Sequence, residues 1–323
     1  MKTLSNFPRV PLAILPTPLY QLPNVSRILG KNVWVKRDDM TGVALGGNKV
    51  RKLEFLLADA MKEGAELVMT TGGGQSNHAM LTAACALRLG LEPVLVLKKR
   101  GVWQRRGNQV LNHLMGVDVR FMDTDSYDDI YTEMDRIGTS SGKKYYKIPC
   151  GGSVPLGCLG YVACVKEVSE QAAALGVRFD RIVCATGSGG THAGTALGAR
   201  LFLASAKITG VEVDTDPFEI IVPDLMRGAA ELLELDMEIK NEDVELTPMW
   251  GEGYAIPSKE GNHAVNFMAR NEGIILDPVY TGKAFAGLLK LNAEGAFAGE
   301  ENILFIHTGG AGGLFAPDWE EEA

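Results

Sequence analysis

One lysine of this chain, Lys49, stands where an amine could act as a nucleophile. It follows the glycine pair Gly46-Gly47, and apolar residues then recur with the spacing of one buried helix face. A helix that begins here places Lys49 in its first turn, among unpaired backbone N–H groups that make the surroundings positive. Positive surroundings and desolvation favour the neutral amine, which is the form that condenses with a carbonyl group. An exposed surface lysine is the alternative at this position.

A glycine-rich turn at 186–191 has the composition of an anion site. It reads Thr-Gly-Ser-Gly-Gly-Thr directly before a predicted helix, so backbone N–H groups, hydroxyls and the helix N-terminus converge. His192 replaces the third glycine of a dinucleotide site, and Val50 replaces the hydroxyl of a nucleotide P-loop around 42–49. We therefore predict the phosphate of a small cofactor here. A turn that needs glycine only for its backbone geometry is the alternative.

A second turn and two loop tyrosines could contact a substrate. The run Gln75-Ser76-Asn77-His78 offers amide, hydroxyl and imidazole groups suited to a carboxylate or a phenolic oxygen. Helix capping by Ser76 or Asn77 is compatible with that role. Tyr254 and Tyr280 lie in irregular segments bracketed by glycine, where a tyrosine can also simply cover the edge of a core.

The composition excludes several other classes of protein. The chain has 323 residues, 46% of them hydrophobic, and a net charge of −8. It has no basic patch for nucleic acid, and we expect the short run at 98–100 to lie in a solvated loop. No apolar run is long enough for a membrane span, and no histidine has a metal-ligand partner at helical spacing. Five cysteines without paired spacing favour a reducing cytoplasm.

Strands and helices alternate along the chain, and the glycine-rich turns follow the strands. We predict strands at 66–70, 93–97, 118–122, 181–185 and 303–307, and helices at 79–89 and 192–203. Such alternation indicates an α/β fold with parallel-rich twisted sheets flanked by helices. Ligands of these sheets bind beyond the carboxyl ends of the strands, where the turns fall. Three parts are needed to hold pyridoxal 5′-phosphate: a lysine, a phosphate site and a polar cluster that can bind a carboxylate. The sequence offers them in Lys49, the turn at 186–191 and the run at 75–78.

The motifs also resemble a known family. The matching segments are 46–49 with 51–54, 75–78, 186–189, 277–280 and 307–310, and they occur in family order over nearly the whole chain. They resemble the D-cysteine desulfhydrase and 1-aminocyclopropane-1-carboxylate (ACC) deaminase family, pyridoxal-phosphate enzymes of the tryptophan-synthase-β fold type. The resemblance implies two domains, a large one formed by 1–51 with 159–323 and a small one formed by 52–158. It also implies a homodimer that acts on a small amino acid.

The resemblance implies a role for each candidate residue. Lys49 would form the Schiff base and move the α-proton, and Ser76 with its neighbours Gln75, Asn77 and His78 would bind the substrate. The phosphate would be held by Thr186, Gly187, Ser188, Gly189, Gly190 and Thr191, with Lys52 close by. Asn77 would contact the phenolic oxygen of the cofactor. Tyr254 and Tyr280 would lie over the substrate, and Thr308 or Thr281 would face the pyridine nitrogen.

Two departures from the family pattern bear on the substrate. ACC deaminases of this family carry a glutamate where this chain has Thr281, and a neutral hydroxyl suits β-elimination better than ring opening. Met80 and Leu81 replace the usual basic residue and glutamine, which predicts a more apolar wall if that helix turn borders the substrate. The first departure favours elimination, with D-cysteine as the expected substrate, and the second argues in the other direction. ACC deamination, elimination from cysteate, serine or chloroalanine, a non-enzymatic ligand sensor and a nucleotide-dependent transferase are the alternatives.

Overall fold

The computed structural model describes residues 2–316 as an α/β protein with two separate sheets. Its strands are β1 (Leu19–Gln21), β2 (Asn32–Arg37), β3 (Leu67–Thr70), β4 (Glu92–Lys98), β5 (Asp118–Met122), β6 (Tyr145–Ile148), β7 (Arg181–Thr186), β8 (Lys207–Glu212), β9 (Glu245–Pro248) and β10 (Asn302–His307). Its helices are α1 (Pro23–Leu29), α2 (Lys49–Lys62), α3 (Asn77–Arg88), α4 (Asn108–Leu114), α5 (Tyr127–Ser141), α6 (Pro155–Leu175), α7 (Gly190–Phe202), α8 (Phe218–Leu232), α9 (Lys259–Glu272), α10 (Thr281–Ala293) and α11 (Ala311–Leu314).

The two sheets are built almost entirely from parallel strands. The larger has the order β1-β2-β10-β7-β8-β9, in which only β1 pairs antiparallel to its neighbour. The smaller has the order β5-β4-β3-β6 and is parallel throughout. Because parallel strands are joined by crossover helices, the carboxyl ends of each sheet meet at one edge. The α/β fold class is confirmed.

The predicted elements are confirmed, and two helices begin earlier than expected. Helix α3 starts at Asn77 and α7 at Gly190, each two residues before the predicted position. At α7 the cause is Gly189, whose φ of +79° turns the chain directly into the helix. Gly190 and Thr191 therefore belong to the first turn of α7, where backbone N–H groups have no partner within the helix itself.

Helix α2 begins at Lys49, as predicted, and is positioned by the glycine pair before it. Gly46 has φ +74°, and a Cβ on it would lie 1.8 Å from the carbonyl oxygen of Asp39. No other residue type fits that approach. The apolar residues of α2 are buried in a core shared with α3, while α2 also packs along α6.

The domain boundaries near 52 and 158 stay a prediction. Helix α2 runs through the first boundary and α6 through the second, so each helix is continuous where the predicted division falls. All four strands of the smaller sheet lie between these two helices in the sequence. No helix within 2–316 is long and apolar enough to cross a lipid bilayer.

Candidate active site

The carboxyl ends of both sheets border one cavity of about 730 Å³. Its wall includes residues that directly follow or end β3, β4, β6, β7, β8 and β10. Many of the predicted site residues line it, namely Lys49, Ser76, Asn77, His78, Gly187, Ser188, Gly189, Thr191, Tyr254, Tyr280 and Thr308. Five others do not: Lys52, Gln75, Thr186, Gly190 and Thr281.

The amine of Lys49 is enclosed by the protein and opens on this cavity. Its Nζ lies 3.5 Å from the carbonyl oxygen of Gly151, and no carboxylate of residues 2–316 comes within ion-pair distance. Burial lowers the pKa of Lys49 to about 8. A substantial fraction of the amine is therefore neutral near physiological pH, as a nucleophile or a base requires.

The turn after β7 forms a cup with a serine from the opposite side. Ser153 Oγ lies 2.8 Å from Ser188 Oγ and accepts a hydrogen bond from the N–H of Gly190 at 3.2 Å. A Cβ on Gly190 would lie 2.7 Å from both Ser153 Oγ and Lys52 Nζ, so only glycine permits the approach. The cup thus presents backbone N–H groups, hydroxyls and a helix N-terminus to one point.

Lys52 lies behind this cup rather than on the cavity wall. Its buried Nζ donates to the Gly151 carbonyl at 3.1 Å and to Ser153 Oγ at 3.3 Å. Burial, followed by the positive charge of Lys49, holds its pKa well below the usual value. Two lysines without a carboxylate partner beside a cup of N–H donors form a site that an anion would complete.

The turn after β3 combines a capped helix with free donors. Ser76 Oγ accepts the N–H of Ala79 at 3.2 Å, so the capping role is confirmed while the residue still faces the cavity. Asn77 Oδ1 accepts from the Asn108 amide at 2.7 Å, which leaves the Asn77 amide nitrogen as a donor. Gln75 points instead to the loop before α4, where its Oε1 accepts the N–H of Asn108 at 2.8 Å.

His78 is a buried, neutral imidazole. Its Nε2 lies 2.9 Å from the hydroxyl of Thr70, and that hydroxyl already donates to the Ile148 carbonyl at 2.8 Å. Nε2 therefore donates its proton to Thr70, and Nδ1 carries a lone pair. Within residues 2–316 no donor meets that Nδ1. Burial, with the charges of Lys49 and Lys52, keeps the pKa of His78 well below its usual value.

The two predicted tyrosines form one unit over the cavity. Their hydroxyls are joined by a short hydrogen bond, and their rings meet edge to face with centroids 5.9 Å apart. Burial raises the pKa of both Tyr254 and Tyr280 above the usual value. Both hydroxyls therefore keep their protons at neutral pH and act as donors, not as bases.

The predicted threonines occupy different environments. Thr308, just beyond β10, lines the cavity. Thr281 Oγ1 donates to Asp277 Oδ1 at 2.6 Å and accepts the N–H of Asp277 at 2.8 Å, so its hydroxyl is engaged at the start of α10. Thr186 likewise turns to His192, whose Nδ1 lies 3.1 Å from its hydroxyl. Of the two threonines predicted to face the cofactor nitrogen, the one on the cavity wall is Thr308.

The expectation of a solvated loop at 98–100 is wrong for Lys98. This lysine ends β4, is only 5% exposed and lines the cavity. Arg100, Cys150, Asp214 and Asp216 line it too and were not predicted from the sequence. The rule that sites lie beyond the carboxyl ends of parallel strands could have indicated them, because each follows or ends a strand closely.

A comparison with protein families identifies the class of this chain. Residues 10–309 match the model of the pyridoxal-phosphate dependent enzymes. The chain belongs to this family, and the family assignment made from the motifs is confirmed.

Individual proteins are similar to this chain over nearly its whole length. The chain is 43% identical to a Pyrococcus horikoshii protein whose name gives ACC deaminase as a provisional activity; the match covers 97% of this chain and 94% of the relative. It is 40% identical to the D-cysteine desulfhydrase of Klebsiella pneumoniae, over 98% of each chain. The crystal structure of an ACC deaminase homologue superposes with a TM-score of 0.89 at 42% identity, covering 97% of this chain and 94% of the other.

The residues present fit pyridoxal phosphate. The cofactor needs an amine for its aldehyde, an anion site for its phosphate and a donor for its phenolic oxygen. Lys49 supplies an amine with a lowered pKa, and the cup at 187–191 with Ser153 and Lys52 supplies the anion site. The free amide nitrogen of Asn77 is a donor of the right type. No group of histidine, cysteine, aspartate and glutamate side chains among the described residues is arranged to hold a metal ion.

Proposed function

We propose that the protein eliminates the β-substituent of a small amino acid, with D-cysteine as the substrate and pyruvate, sulfide and ammonia as the products. The observation that supports it is that both threonines considered for the pyridine nitrogen, Thr281 in place of the glutamate of ACC deaminases and Thr308 on the cavity wall, are neutral hydroxyls, whereas a carboxylate at that nitrogen would strengthen the cofactor as an electron acceptor. Elimination of a thiolate needs a weaker electron acceptor than opening of a cyclopropane ring. Bound pyridoxal phosphate supplies the electron-accepting ring that makes the α-proton of an amino acid acidic.

The amine of Lys49 is the base in this proposal. A lysine with a pKa of about 8 can take the α-proton and return it near neutral pH. The substrate carboxylate binds at the N-terminus of α3, where Ser76 and the free N–H groups of the first turn converge. His78 stays neutral beneath this turn and holds it through Thr70, so its role is to position the turn.

Tyr254 and Tyr280 protonate the leaving sulfur. Because burial keeps both hydroxyls protonated, one can give its proton to the departing thiolate while the other stabilises it through their shared hydrogen bond. Overall, cysteine and one water molecule give pyruvate, hydrogen sulfide and ammonia, and no oxidant or reductant is consumed.

A panel of substrates tests the proposal. Purified protein loaded with pyridoxal phosphate is given D-cysteine, L-cysteine or ACC, and sulfide, pyruvate and 2-oxobutyrate are measured separately. We expect sulfide and pyruvate in equal amounts from D-cysteine, and neither from the Lys49→Ala variant. Release of 2-oxobutyrate from ACC without sulfide from either cysteine would assign the chain to deamination, the activity in the name of the P. horikoshii relative.

A further inference from the structure

The cavity has a second, charged end that the elimination of free cysteine does not use. We call it the distal end and define it by Lys98, Arg100, Asp214 and Asp216. Lys98 ends β4 of the smaller sheet, and the two aspartates follow β8 of the larger sheet. The thiol of Cys150, also on the cavity wall, interacts electrostatically with Lys49, Lys98 and Asp216. The distal end therefore faces the same space as the catalytic lysine.

Lys98 is a buried ammonium without a carboxylate partner. Its Nζ donates to the backbone carbonyl of Asp125 at 2.5 Å and lies 3.5 Å from the centre of the Tyr127 ring. No carboxylate in the described part of the chain comes within 4.0 Å of that nitrogen. The cation is in direct contact with one carbonyl and one ring, and Asp125 and Asp216 act on it only from beyond ion-pair distance, so a ligand carboxylate in direct contact would complete its coordination.

Asp216 carries the opposite charge at the edge of the same cavity. Arg100 lies 3.5 Å from Asp214, so those two residues already balance each other. Asp216 is an exposed residue at the edge of the cavity and makes no ion pair among residues 2–316; partial desolvation and the charge of Asp214 raise its pKa, and the charges of Arg100 and Lys98 partly oppose this. A ligand ammonium group beside Asp216 would relieve both effects. The distal end thus offers a buried cation and an exposed anion to the same cavity, and the two are not joined in an ion pair.

We infer that the distal end binds the ammonium and carboxylate of a second amino-acid unit, so that the preferred substrate is a thioether joining two amino acids through sulfur. This inference rests on the proposed elimination and specifies its leaving group. The carboxylate of the leaving unit binds Lys98 and its ammonium binds Asp216. Free cysteine lacks that unit and contacts neither of these two side chains.

The reaction remains balanced with this substrate. The α-proton leaves the carbon held near Lys49, the Cβ–S bond breaks, and its electron pair departs with sulfur. The sulfur takes a proton and leaves as a thiol amino acid. The remaining aminoacrylate takes up one water molecule to give pyruvate and ammonia, so no external oxidant or reductant is needed.

A pair of thioether substrates tests the inference. Meso-lanthionine carries the distal zwitterion, and S-isobutyl-DL-cysteine keeps the branched carbon but carries uncharged methyl groups in place of the distal ammonium and carboxylate. We expect kcat/KM for pyruvate release to be about tenfold or more higher with meso-lanthionine, since two charge-assisted contacts are gained. Equal values, or a preference for the isobutyl compound, would overturn the inference.

Single substitutions locate the effect. Lys98→Met should lower the lanthionine-to-isobutyl ratio of kcat/KM about tenfold, and Asp216→Asn, which lies nearer the solvent, about threefold. Lys99→Met and Asp123→Asn are the controls, because each neutralises an exposed residue of the same charge that does not line the cavity. The ratio cancels any loss of folded protein. A ratio that moves equally in the controls, or not at all in Lys98→Met, contradicts the assignment.

Binding without turnover separates this inference from the proposed function. Calorimetry on cofactor-saturated Lys49→Ala should give a lower Kd for meso-lanthionine than for S-isobutyl-cysteine, and Lys98→Met in the same background should remove the difference. If the difference is absent while the unmodified enzyme still releases sulfide from D-cysteine, the inference fails alone. If no substrate gives pyruvate, yet the binding difference is present, the proposed elimination fails and the distal site stands.

Discussion

Two neighbouring residues of α2, Arg51 and Lys52, are both buried cations, but their surroundings differ completely. Arg51 donates two hydrogen bonds to Asp38, at 2.7 and 2.9 Å, and two to Glu167, at 3.1 and 2.9 Å. Within residues 2–316, Lys52 donates only to a carbonyl and a hydroxyl. The charge of Arg51 is therefore neutralised by other side chains of the protein, whereas the charge of Lys52 is not.

The pKa values follow the same division. Although burial opposes it, Arg51 holds the pKa of Asp38 below its usual value. Burial lowers the pKa of Lys49 and Lys52 instead, because no carboxylate offsets the loss of water. The ion pairs of Arg51 hold α2 against α6 and the segment that follows β2. The charges of Lys49 and Lys52, in contrast, would be neutralised only by an anionic ligand.

Removing Arg51 should have the largest effect on stability. Arg51→Met leaves the fully buried carboxylate of Asp38 without its main partner, which costs about 3–5 kcal/mol of unfolding free energy. Urea unfolding of the cofactor-free protein measures this loss. A decrease below about 1 kcal/mol would mean that the network around Asp38 contributes no more than a surface pair.

Lys52→Met should behave in the opposite way. The substitution removes an uncompensated buried charge, so we expect the cofactor-free protein to unfold at the same or a higher urea concentration. Its affinity for pyridoxal phosphate should fall about 10- to 100-fold, because the cup loses a charge-assisted donor. A cofactor Kd equal to that of the unmodified protein would remove Lys52 from the phosphate site.

The Tyr280→Phe variant tests whether the two cavity tyrosines donate protons, and we expect a smaller effect on function. We expect kcat to fall about tenfold while the cofactor stays bound, since Tyr254 keeps its hydroxyl but loses its partner. Tyr146→Phe is the matched control, because that hydroxyl bonds Asp59 and does not line the cavity. Equal turnover in the two variants would leave Tyr280 without a role in proton transfer.

The pH dependence of cofactor uptake should show the smallest change. Only the neutral amine of Lys49 condenses with an aldehyde, and its pKa in the folded protein is about 8 rather than 10.5. The rate of uptake by the cofactor-free protein should therefore rise about fivefold between pH 7 and pH 8 and less than about twofold above pH 8. A rate that still rises steeply beyond pH 9 would indicate an ordinary lysine.

Much of the cofactor end could be predicted from the sequence because each part is a local pattern. A glycine pair before a periodic helix locates Lys49, and a strand followed by glycines and hydroxyls locates the cup at 187–191. Thr281 was harder to place because its hydroxyl bonds Asp277 only in the folded turn. The distal end was missed because Lys98 and Asp216 lie 118 positions apart, on different sheets, and no local pattern relates them.

The most direct test of the account is chemical trapping of the cofactor. Borohydride reduction of the protein loaded with pyridoxal phosphate, followed by proteolysis and mass spectrometry, should give one modified lysine, Lys49, and none in the Lys49→Ala variant. Lys52, three residues further along the same helix, should remain unmodified because it contacts the phosphate cup instead of the cavity. An adduct on Lys52, or no adduct at all, would contradict the assignment of Lys49 as the amine that holds the cofactor.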